Sequence, residues 1–487
     1  MISNVGFRML DFECWIFKFT QYSVLSTQYS VPCFYSLDPL DFGQWTLDFF
    51  TNHESRNFNF PIFFLLFFLF SHMPKVLMIA YYFPPMGFSG VQRPVKFAKY
   101  LLDFEWEPII LTTTPPDFYA FDQTLEEDIK DLTIYRTKGK KGKKGKQKKF
   151  PSWFKQKVGR FVYSSLFIPD RFIGWKKHAV KLADKIIKEH NIDVIFSTAP
   201  PYTNFLVAKE LSEKYDIPYV VDYRDTWIDN PFHYFPTAWH KKQHSDLESE
   251  IIRTSNRILV VARHAKELLL QRYKLLRHED IIIMPHGYDP QDFQGLDDIK
   301  PDPTYLTITH SGAFQDDRTP KYFFKALKNF IKNNPDATKK IKLKLVGLMR
   351  KSHLRMIRKY GLQDVVNPVG YVSHDQAVKH LLASDVLWLM LNDTIRTPGK
   401  LYEYFGANRP LLITAPDGNM KEVAKKSKAA LTANPKDVKE IEEIIASFYR
   451  MWKDNVLPIP DQDYIEGFNR KNLTEELSKI LSHSIKL

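Results

Sequence analysis

Four loops of the chain hold residue types that could bind an anion or move a proton, and each follows an apolar run and precedes a helical pattern. In the first loop, YYFPPMGFSGVQR, Gly87 and Gly90 would allow the backbone to turn tightly and to approach a ligand. The helix that follows would direct the positive end of its dipole toward that ligand. Glycine pairs also serve plain tight turns, so a ligand-binding and a purely structural interpretation both stay open.

The second and third loops, STAPPYTN and DYRDTW, place polar groups directly after apolar strands. In DYRDTW these groups are Asp222, Arg224 and Asp225. A carboxylate at this position could accept a proton or bind a hydroxyl group of a ligand. Alternatively, the arginine and an aspartate form an internal ion pair that caps the next helix. The residue types favour neither interpretation over the other.

The fourth loop, TPGKLYEY, has the features of a phosphate site at the start of a helix. Thr397 is predicted as the N-cap, Pro398 as the first helical residue and Gly399 as a point of close backbone approach. Lys400 would supply a counter-charge to the phosphate. Glu403 lies one turn further on, where it could accept hydrogen bonds from a ribose or simply be an acidic residue favoured by the helix dipole.

These loops belong to a regular alternation of short apolar runs and helical patterns that begins at Lys75. Continuous apolar strands separated by helices predict parallel sheets that are covered on both faces. A polar segment rich in Pro and Asp interrupts the alternation, which then restarts. The predicted class is α/β, with two Rossmann-like doubly wound domains facing each other across a cleft. The predicted boundaries are an N-terminal domain over 73–290, a linker over 291–303, a C-terminal domain over 304–460, and a helical tail over 461–487 that packs back on the N-terminal domain.

The positive charge of the chain is concentrated in one segment. The formal net charge is +13, but the stretch from Lys138 to Lys149 holds eight lysines, and the balance without it is +5. Such a run cannot build a core, so it is predicted as a solvated surface loop, with contact to an anionic membrane surface as the alternative. No zinc-finger spacing, RNP pattern or basic-region heptad occurs, so nucleic-acid binding is not expected.

The first 72 residues differ in composition from the rest. They hold 15 of the 38 phenylalanines and both cysteines, Cys14 and Cys33. Their apolar run over 59–70 is shorter than the ~20 residues that span a bilayer. We therefore predict that Met73 is the natural start, with a membrane-associating extension over 1–72 as the alternative. From Met73 onward the chain has no cysteine, so neither a disulfide framework nor a thiolate metal site is expected there.

A second membrane-related feature is the stretch from Phe150 to Trp175, which mixes aromatic and basic residues. Next to the lysine run it could lie on a lipid surface. The alternative is an ordinary helix that packs on the sheet.

Taken together and in this order, the loops resemble the family 4 glycosyltransferases of the GT-B fold. The stretches that carry the resemblance span nearly all of 73–460: KVLMIAYYFPPMGFSGVQRPVKFAKYL, IPDRFIGW, DVIFSTAPPY, IPYVVDYRDTW, MPHGYD, THSGAFQDDR and TPGKLYEYFGANRPLL. The resemblance implies that the N-terminal half binds an acceptor and the C-terminal half a nucleotide-diphosphate sugar. It also implies transfer with retention of anomeric configuration and without a metal or other cofactor, because fixed positive charge stabilises the leaving diphosphate.

The resemblance also assigns roles to single residues. Gly90 would lie near the donor phosphates, Arg318 would contact the diphosphate, and Glu403 would hold the ribose. The loop from Thr397 to Lys400 would present backbone N–H groups to the diphosphate. The pair Asp316-Asp317 precedes a helix instead of following a strand, so we interpret it as solvated surface and not as a metal site.

Three positions depart from the family pattern. Ile395 stands where relatives often have the first of two glutamates, and Tyr202-Thr203-Asn204 stands where many have a histidine. His286 replaces a common asparagine and is interpreted as shaping the interdomain turn. Asp225 is therefore the substitute candidate for catalytic contacts near the reacting centre.

The resulting hypothesis is a hexosyltransferase that moves a sugar from a nucleotide-diphosphate sugar to a surface-glycan or lipid-linked acceptor. We expect it in the cytoplasm, in cell-envelope polysaccharide synthesis, either free or peripheral on the inner face of the membrane. A nucleotide-sugar epimerase of the same architecture and an inactive glycan-binding protein are the alternatives. The donor base, the sugar and the linkage depend on pocket contacts that leave no motif in a sequence.

Overall fold

The structure is a computed structural model that describes residues 73–486 except 88, 115–123, 139–152, 231–232 and 315–317. Its contacts divide the chain into residues 1–72 and 73–487, and the description below concerns the second unit. The predictions for residues 1–72, for the lysine run beyond Lys138, and for Asp316 and Asp317 lie outside the described residues. Within the described ranges no helix combines the length and the apolar character needed to cross a bilayer.

The first domain is built on a seven-stranded sheet in the order β3-β2-β1-β4-β5-β6-β7. Every neighbouring pair of these strands is parallel. The strands are β1 Lys75–Ile79, β2 Glu107–Thr113, β3 Thr133–Thr137, β4 Val194–Ala199, β5 Tyr219–Tyr223, β6 Arg257–Val260 and β7 Ile281–Ile283.

Strand β1 shows why the apolar runs form this sheet. Because successive side chains alternate between the two faces of a strand, Leu77 and Ile79 enter the core on one side, while Val76 and Met78 enter the core on the other. Both faces are thus covered, as expected for a parallel sheet. The covering helices are α1 Ser89–Leu101, α2 Trp153–Leu166, α3 Ile173–His190, α4 Thr203–Tyr215, α5 Ala238–Thr254 and α6 Arg263–Arg272.

The second domain repeats this plan with six strands in the order β10-β9-β8-β11-β12-β13, again all parallel. Its strands are β8 Leu306–Ser311, β9 Ile341–Val346, β10 Val366–Gly370, β11 Val386–Met390, β12 Leu411–Thr414 and β13 Ala430–Ala433. Its helices are α7 Lys321–Asn333, α8 Lys351–Tyr360, α9 His374–Leu382, α10 Gly399–Gly406, α11 Asn419–Lys426 and α12 Val438–Lys453.

The C-terminal segment returns to the first domain. After the short α13 Gln462–Glu466, helix α14 Arg470–Ile485 contributes Leu473, Leu477 and Leu481 to the core that covers one face of the first sheet. The crossing point is tight: the Tyr288 amide donates to the Phe468 carbonyl at 3.0 Å, and a Cβ on Gly287 would lie 2.4 Å from the same oxygen. Glycine is therefore required where the two chain segments pass.

The predicted fold class is confirmed. Helix α5 begins at Ala238, because Thr237 caps it by accepting a hydrogen bond from the His240 amide. Strands β3 and β13 are hard to recognise in the sequence. β3 is a partly exposed edge strand, and β13 has only four residues, so neither shows the continuous apolar run of a central strand.

Candidate functional site

The two sheets meet at a cavity of about 430 Å³. In the first sheet the strand order reverses between β1 and β4, and in the second between β8 and β11. Loops diverge at such points and leave a crevice beyond the carboxyl ends of the strands. The first domain lines the cavity with Tyr82, Gly90, Gln92, Pro200, Arg224, Asp225 and His286, and the second with the loops after β8, β9, β10 and β11 and the first turn of α10.

Most residues singled out in the sequence line this cavity, namely Gly90, Asp225, Arg318, Thr397, Gly399, Lys400 and Glu403. Gly87 does not. It is buried in the loop before α1, whereas Gly90 belongs to the first turn of that helix, at the cavity wall. Gly87 therefore lies away from the cavity wall, and its ligand contact stays a prediction.

The fourth loop starts α10 one residue later than predicted. Pro398 is the N-cap and Gly399 the first helical residue, while the Thr397 hydroxyl accepts a hydrogen bond from the Asn419 side-chain amide. Thr397 is thus held by the first residue of α11 and does not cap α10. A Cβ on Gly399 would meet nothing within 4 Å, so the helix start faces open space in the cavity wall. Free N–H groups at such a position suit an anionic ligand.

Lys400 and Glu403 lie side by side on the same wall. The Lys400 ammonium is 2.5 Å from a Glu403 carboxylate oxygen, and the side chains are 26% and 12% exposed. A cation and a carboxylate one turn apart offer complementary partners to a phosphate and to an adjoining hydroxylated ring.

A second cation reaches the same end of the cavity from the loop after β8. Burial lowers the pKa of His310 to about 4, with smaller contributions from the charges of Arg318 and Lys400. All three side chains line the cavity. The neutral ring donates from Nδ1 to the Trp388 carbonyl at 3.0 Å and stacks on Phe314. His310 was not predicted as a site residue, because it lies within the apolar pattern of β8.

The loops after β8 and β9 approach each other closely beneath the cavity. Gly312 and Gly347 have φ values of +143° and +131°, and a Cβ on Gly347 would lie 2.6 Å from the Gly312 carbonyl oxygen. No other residue fits this crossing without moving the backbone. Two strand ends are thereby held together at the cavity wall, which both glycines line.

The DYRDTW loop divides its charges between structure and cavity. Asp222 is fully buried and paired with Arg93 of α1, with the closest N–O distance at 2.8 Å. Arg224 donates to the carbonyl oxygens of Gly90 and Pro200 and thereby ties the first two loops together. Asp222 is therefore paired with an arginine of another element, and not with Arg224 of its own motif. Asp225 is left to line the cavity.

The electrostatics of Asp225 involve both domains. Burial raises the pKa of this carboxyl, while the charges of Arg396 and Arg224 act to lower it. Arg396 comes from the loop after β11 and is itself paired with Asp393, with N–O distances of 2.8 and 2.9 Å. Arg396 was not predicted as a site residue, although it is the neighbour of Ile395. Its position between a strand end and the TPGK turn was the available signal.

The STAPPYTN loop supports the site from behind. Tyr202 stacks on Trp227 with ring centroids 4.5 Å apart and donates its hydroxyl to the Thr226 carbonyl at 2.7 Å. Asn204 donates to the Thr198 carbonyl at 2.7 Å. Of the residues in this loop, only Pro200 lines the cavity. Tyr202 and Asn204, which stand where many relatives have a histidine, instead hold in place the backbone beside Asp225 and near the end of β4.

Comparison with known families identifies both domains. Residues 96–292 match the family described as Glycosyltransferase Family 4, and residues 297–457 match the family described as Glycosyl transferases group 1. No curated protein matches the chain in sequence.

Solved structures share the fold at low sequence identity. A glycosyltransferase from Rickettsia africae superposes with a TM-score of 0.58 at 15% identity, covering 85% of this chain and 99% of its own. Sucrose-phosphate synthase from Thermosynechococcus elongatus gives a TM-score of 0.57 at 12% identity, covering 84% of this chain and 98% of its own. Anabaena HepE, solved in complex with UDP and glucose, gives a TM-score of 0.55 at 14% identity, covering 85% of this chain and 100% of its own.

Proposed function

Because the chain belongs to the family 4-type glycosyltransferases of the GT-B fold, we propose that it transfers a sugar from a nucleoside-diphosphate sugar to a surface-glycan or lipid-linked acceptor. The observation that carries this proposal is the convergence of Arg318, Lys400 and the open start of α10 at one end of the interdomain cavity. Two cations and unpaired backbone N–H groups form a site for a diphosphate. The complex of Anabaena HepE with UDP and glucose supports this class of donor.

The residues then divide the work of the transfer. Arg318, Lys400 and the Gly399 amide stabilise the negative charge that develops on the leaving diphosphate, so the reaction needs no metal ion. Glu403 accepts hydrogen bonds from the ribose hydroxyls. Asp225, on the opposite wall, contacts the reacting hydroxyls, where its raised pKa suits proton exchange. Transfer proceeds with retention, as the family resemblance implies.

Two alternatives use the same donor site. A nucleotide-sugar epimerase would release an isomerised sugar without an acceptor, and a glycan-binding protein would bind the donor without turnover. The presence of Ile395, which cannot hydrogen-bond a sugar, keeps the inactive alternative open. The expected setting, cell-envelope glycan synthesis in the cytoplasm, belongs to the proposal.

The test is a donor screen on the full chain, in which UDP- and GDP-sugars are incubated with and without glycan acceptors and the products are analysed. We expect a product only when an acceptor is present, and loss of turnover in Glu403→Ala. The matched control is Glu422→Ala, since Glu422 is exposed on α11 of the same domain and lies away from the cavity. An isomerised sugar formed without acceptor would show the epimerase, and donor binding without any product would show the inactive protein.

A further inference from the structure

One helix of the first domain presents its apolar stripe to solvent. In α2, Val158, Phe161, Val162 and Leu166 are 46%, 52%, 44% and 69% exposed. Their spacing of three and four residues places them on a single helix face. None of the described α2 residues is buried. The apolar stripe of a surface helix normally faces the core, so this face is available to a partner outside the fold.

Neighbouring aromatic residues extend the stripe. The Phe161 ring lies 5.4 Å from that of Tyr234, and Trp239 in the first turn of α5 is 60% exposed. The two helices touch where a His240 ring nitrogen lies 3.3 Å from the Ser165 carbonyl oxygen. We call this surface the α2 face, and it comprises Val158, Phe161, Val162, Leu166, Tyr234 and Trp239. It holds 6 of the 15 large hydrophobic side chains exposed in the described chain.

The charge of the surrounding sequence indicates what covers this face. No acidic residue occurs from Lys138 to Pro169, and α2 itself contains Lys155, Lys157 and Arg160. The chain entering α2 adds the eight lysines that begin at Lys138. A protein partner with an acidic surface would need apolar groups matched to this helix, whereas an anionic bilayer supplies both charge and hydrocarbon along any such helix.

The α2 face also connects to the acceptor side of the cavity. The chain leaving α2 reaches Phe172, whose ring centroid lies 4.4 Å from that of Tyr81 and 5.7 Å from that of Tyr82. Tyr82 lines the cavity. The segment that leaves α2 therefore packs against the first-domain wall of the cavity, which also holds Asp225.

We propose that the α2 face binds the surface of an anionic phospholipid bilayer, with Phe161, Val162, Leu166 and Trp239 inserted at the level of the headgroups. Membrane binding brings a lipid-linked acceptor to the opening beside Tyr82. The identity of that acceptor rests on the proposed function, whereas the binding of the bilayer does not.

The test measures co-sedimentation of the full chain with vesicles of phosphatidylcholine alone or with about one third phosphatidylglycerol, at low and high salt. The test variant combines Phe161→Ser, Val162→Ser and Leu166→Ser. The matched control combines Val456→Ser and Ile459→Ser, since these second-domain side chains are 63% and 77% exposed and lie outside the α2 face.

We expect the wild type and the control to bind anionic vesicles in a salt-sensitive way, and the test variant to lose affinity by on the order of tenfold or more. Equal binding of the test variant and the wild type would overturn the proposal, as would a wild type that binds no vesicle. If instead the wild type dimerises in solution and the test variant does not, a second copy covers this face and the proposal fails.

Calorimetric titration of UDP and GDP into the same variants separates this inference from the proposed function. We expect the test variant to bind nucleotide like the wild type, because α2 contributes no residue to the cavity. Vesicle binding without nucleotide binding would refute the proposed function and leave the membrane surface standing.

Discussion

Replacing Arg93 by methionine is expected to destabilise the first domain more than any single surface change. The guanidinium is 1% exposed and makes bonds of 2.8–3.2 Å to the Asp222 carboxylate, which is 0% exposed. It also donates to the Pro285 and Met284 carbonyls at 2.6 and 3.0 Å, and so joins α1, β5 and the segment leading to the second domain. Its removal leaves a buried carboxylate with the Thr198 hydroxyl as its remaining side-chain donor.

Removing one partner of such a buried pair costs about 3–5 kcal/mol of unfolding free energy. For a domain of this size the cost lowers the melting temperature by about 6–20 °C. The matched control is Arg263→Met, which breaks the Arg263–Glu267 pair of 2.8 Å whose side chains are 81% and 44% exposed. Exposed pairs of this kind contribute less than about 1 kcal/mol.

The assay is thermal unfolding by differential scanning fluorimetry, with urea denaturation of both variants and of Arg93→Met/Asp222→Leu. The double variant is expected to lose less stability than the sum of its single changes, because it leaves no unpaired buried charge. A stabilising role of the buried Arg93–Asp222 pair would be refuted if Arg93→Met melted within about 2 °C of Arg263→Met, or if the two changes in the double variant were additive.

Three further predictions concern the cavity. Gly347→Ala is expected to cost clearly more unfolding free energy than Gly361→Ala and to weaken nucleotide binding. Both glycines have positive φ, but only the Cβ added at Gly347 would strike a backbone atom. Urea denaturation and calorimetry compare the two variants, and equal losses of stability would contradict the close crossing at Gly347. Asp225→Asn is expected to lower kcat on the order of a hundredfold with unchanged UDP affinity, and undiminished turnover in steady-state assays would exclude a catalytic role. His374 makes stability depend on pH: burial acts to lower its pKa, but the hydrogen bond to Asp292 raises it above the ordinary value. The contribution of protonated His374 to stability is therefore full below about pH 6.5 and is lost as the pH rises through the folded-state pKa. The stability difference between wild type and His374→Gln should thus shrink from pH 6 to pH 9. A constant difference in urea titrations would contradict this prediction.

The fold could be predicted from the sequence because continuous apolar strands such as β4 and β11 leave little alternative to a covered parallel sheet. The loops that follow them could be placed near the cleft for the same reason, since the carboxyl ends of parallel strands share one edge. This rule located Gly90 and Glu403 without any knowledge of contacts, whereas Arg318 was identified through the family resemblance.

The sequence could not show which charges pair with each other. Asp222 and Asp225 stand three residues apart in one motif, yet the first is neutralised by Arg93 from a distant helix and the second faces the cavity. The orientation of α2 was equally hidden, because an amphipathic pattern does not show whether its apolar face meets the core or the solvent. Tertiary packing decides both, and local sequence does not record it.

The most direct test of the account is a calorimetric titration of uridine, UMP and UDP into the wild type and Arg318→Ala, with the guanosine series run alongside. If Arg318 and the start of α10 hold a diphosphate, the variant should lose roughly 10- to 150-fold in UDP affinity, as one charge-assisted contact predicts, and little in affinity for the nucleoside or monophosphate. Unchanged UDP affinity in Arg318→Ala, or an equal loss for all three ligands, would contradict a diphosphate site at this end of the cavity.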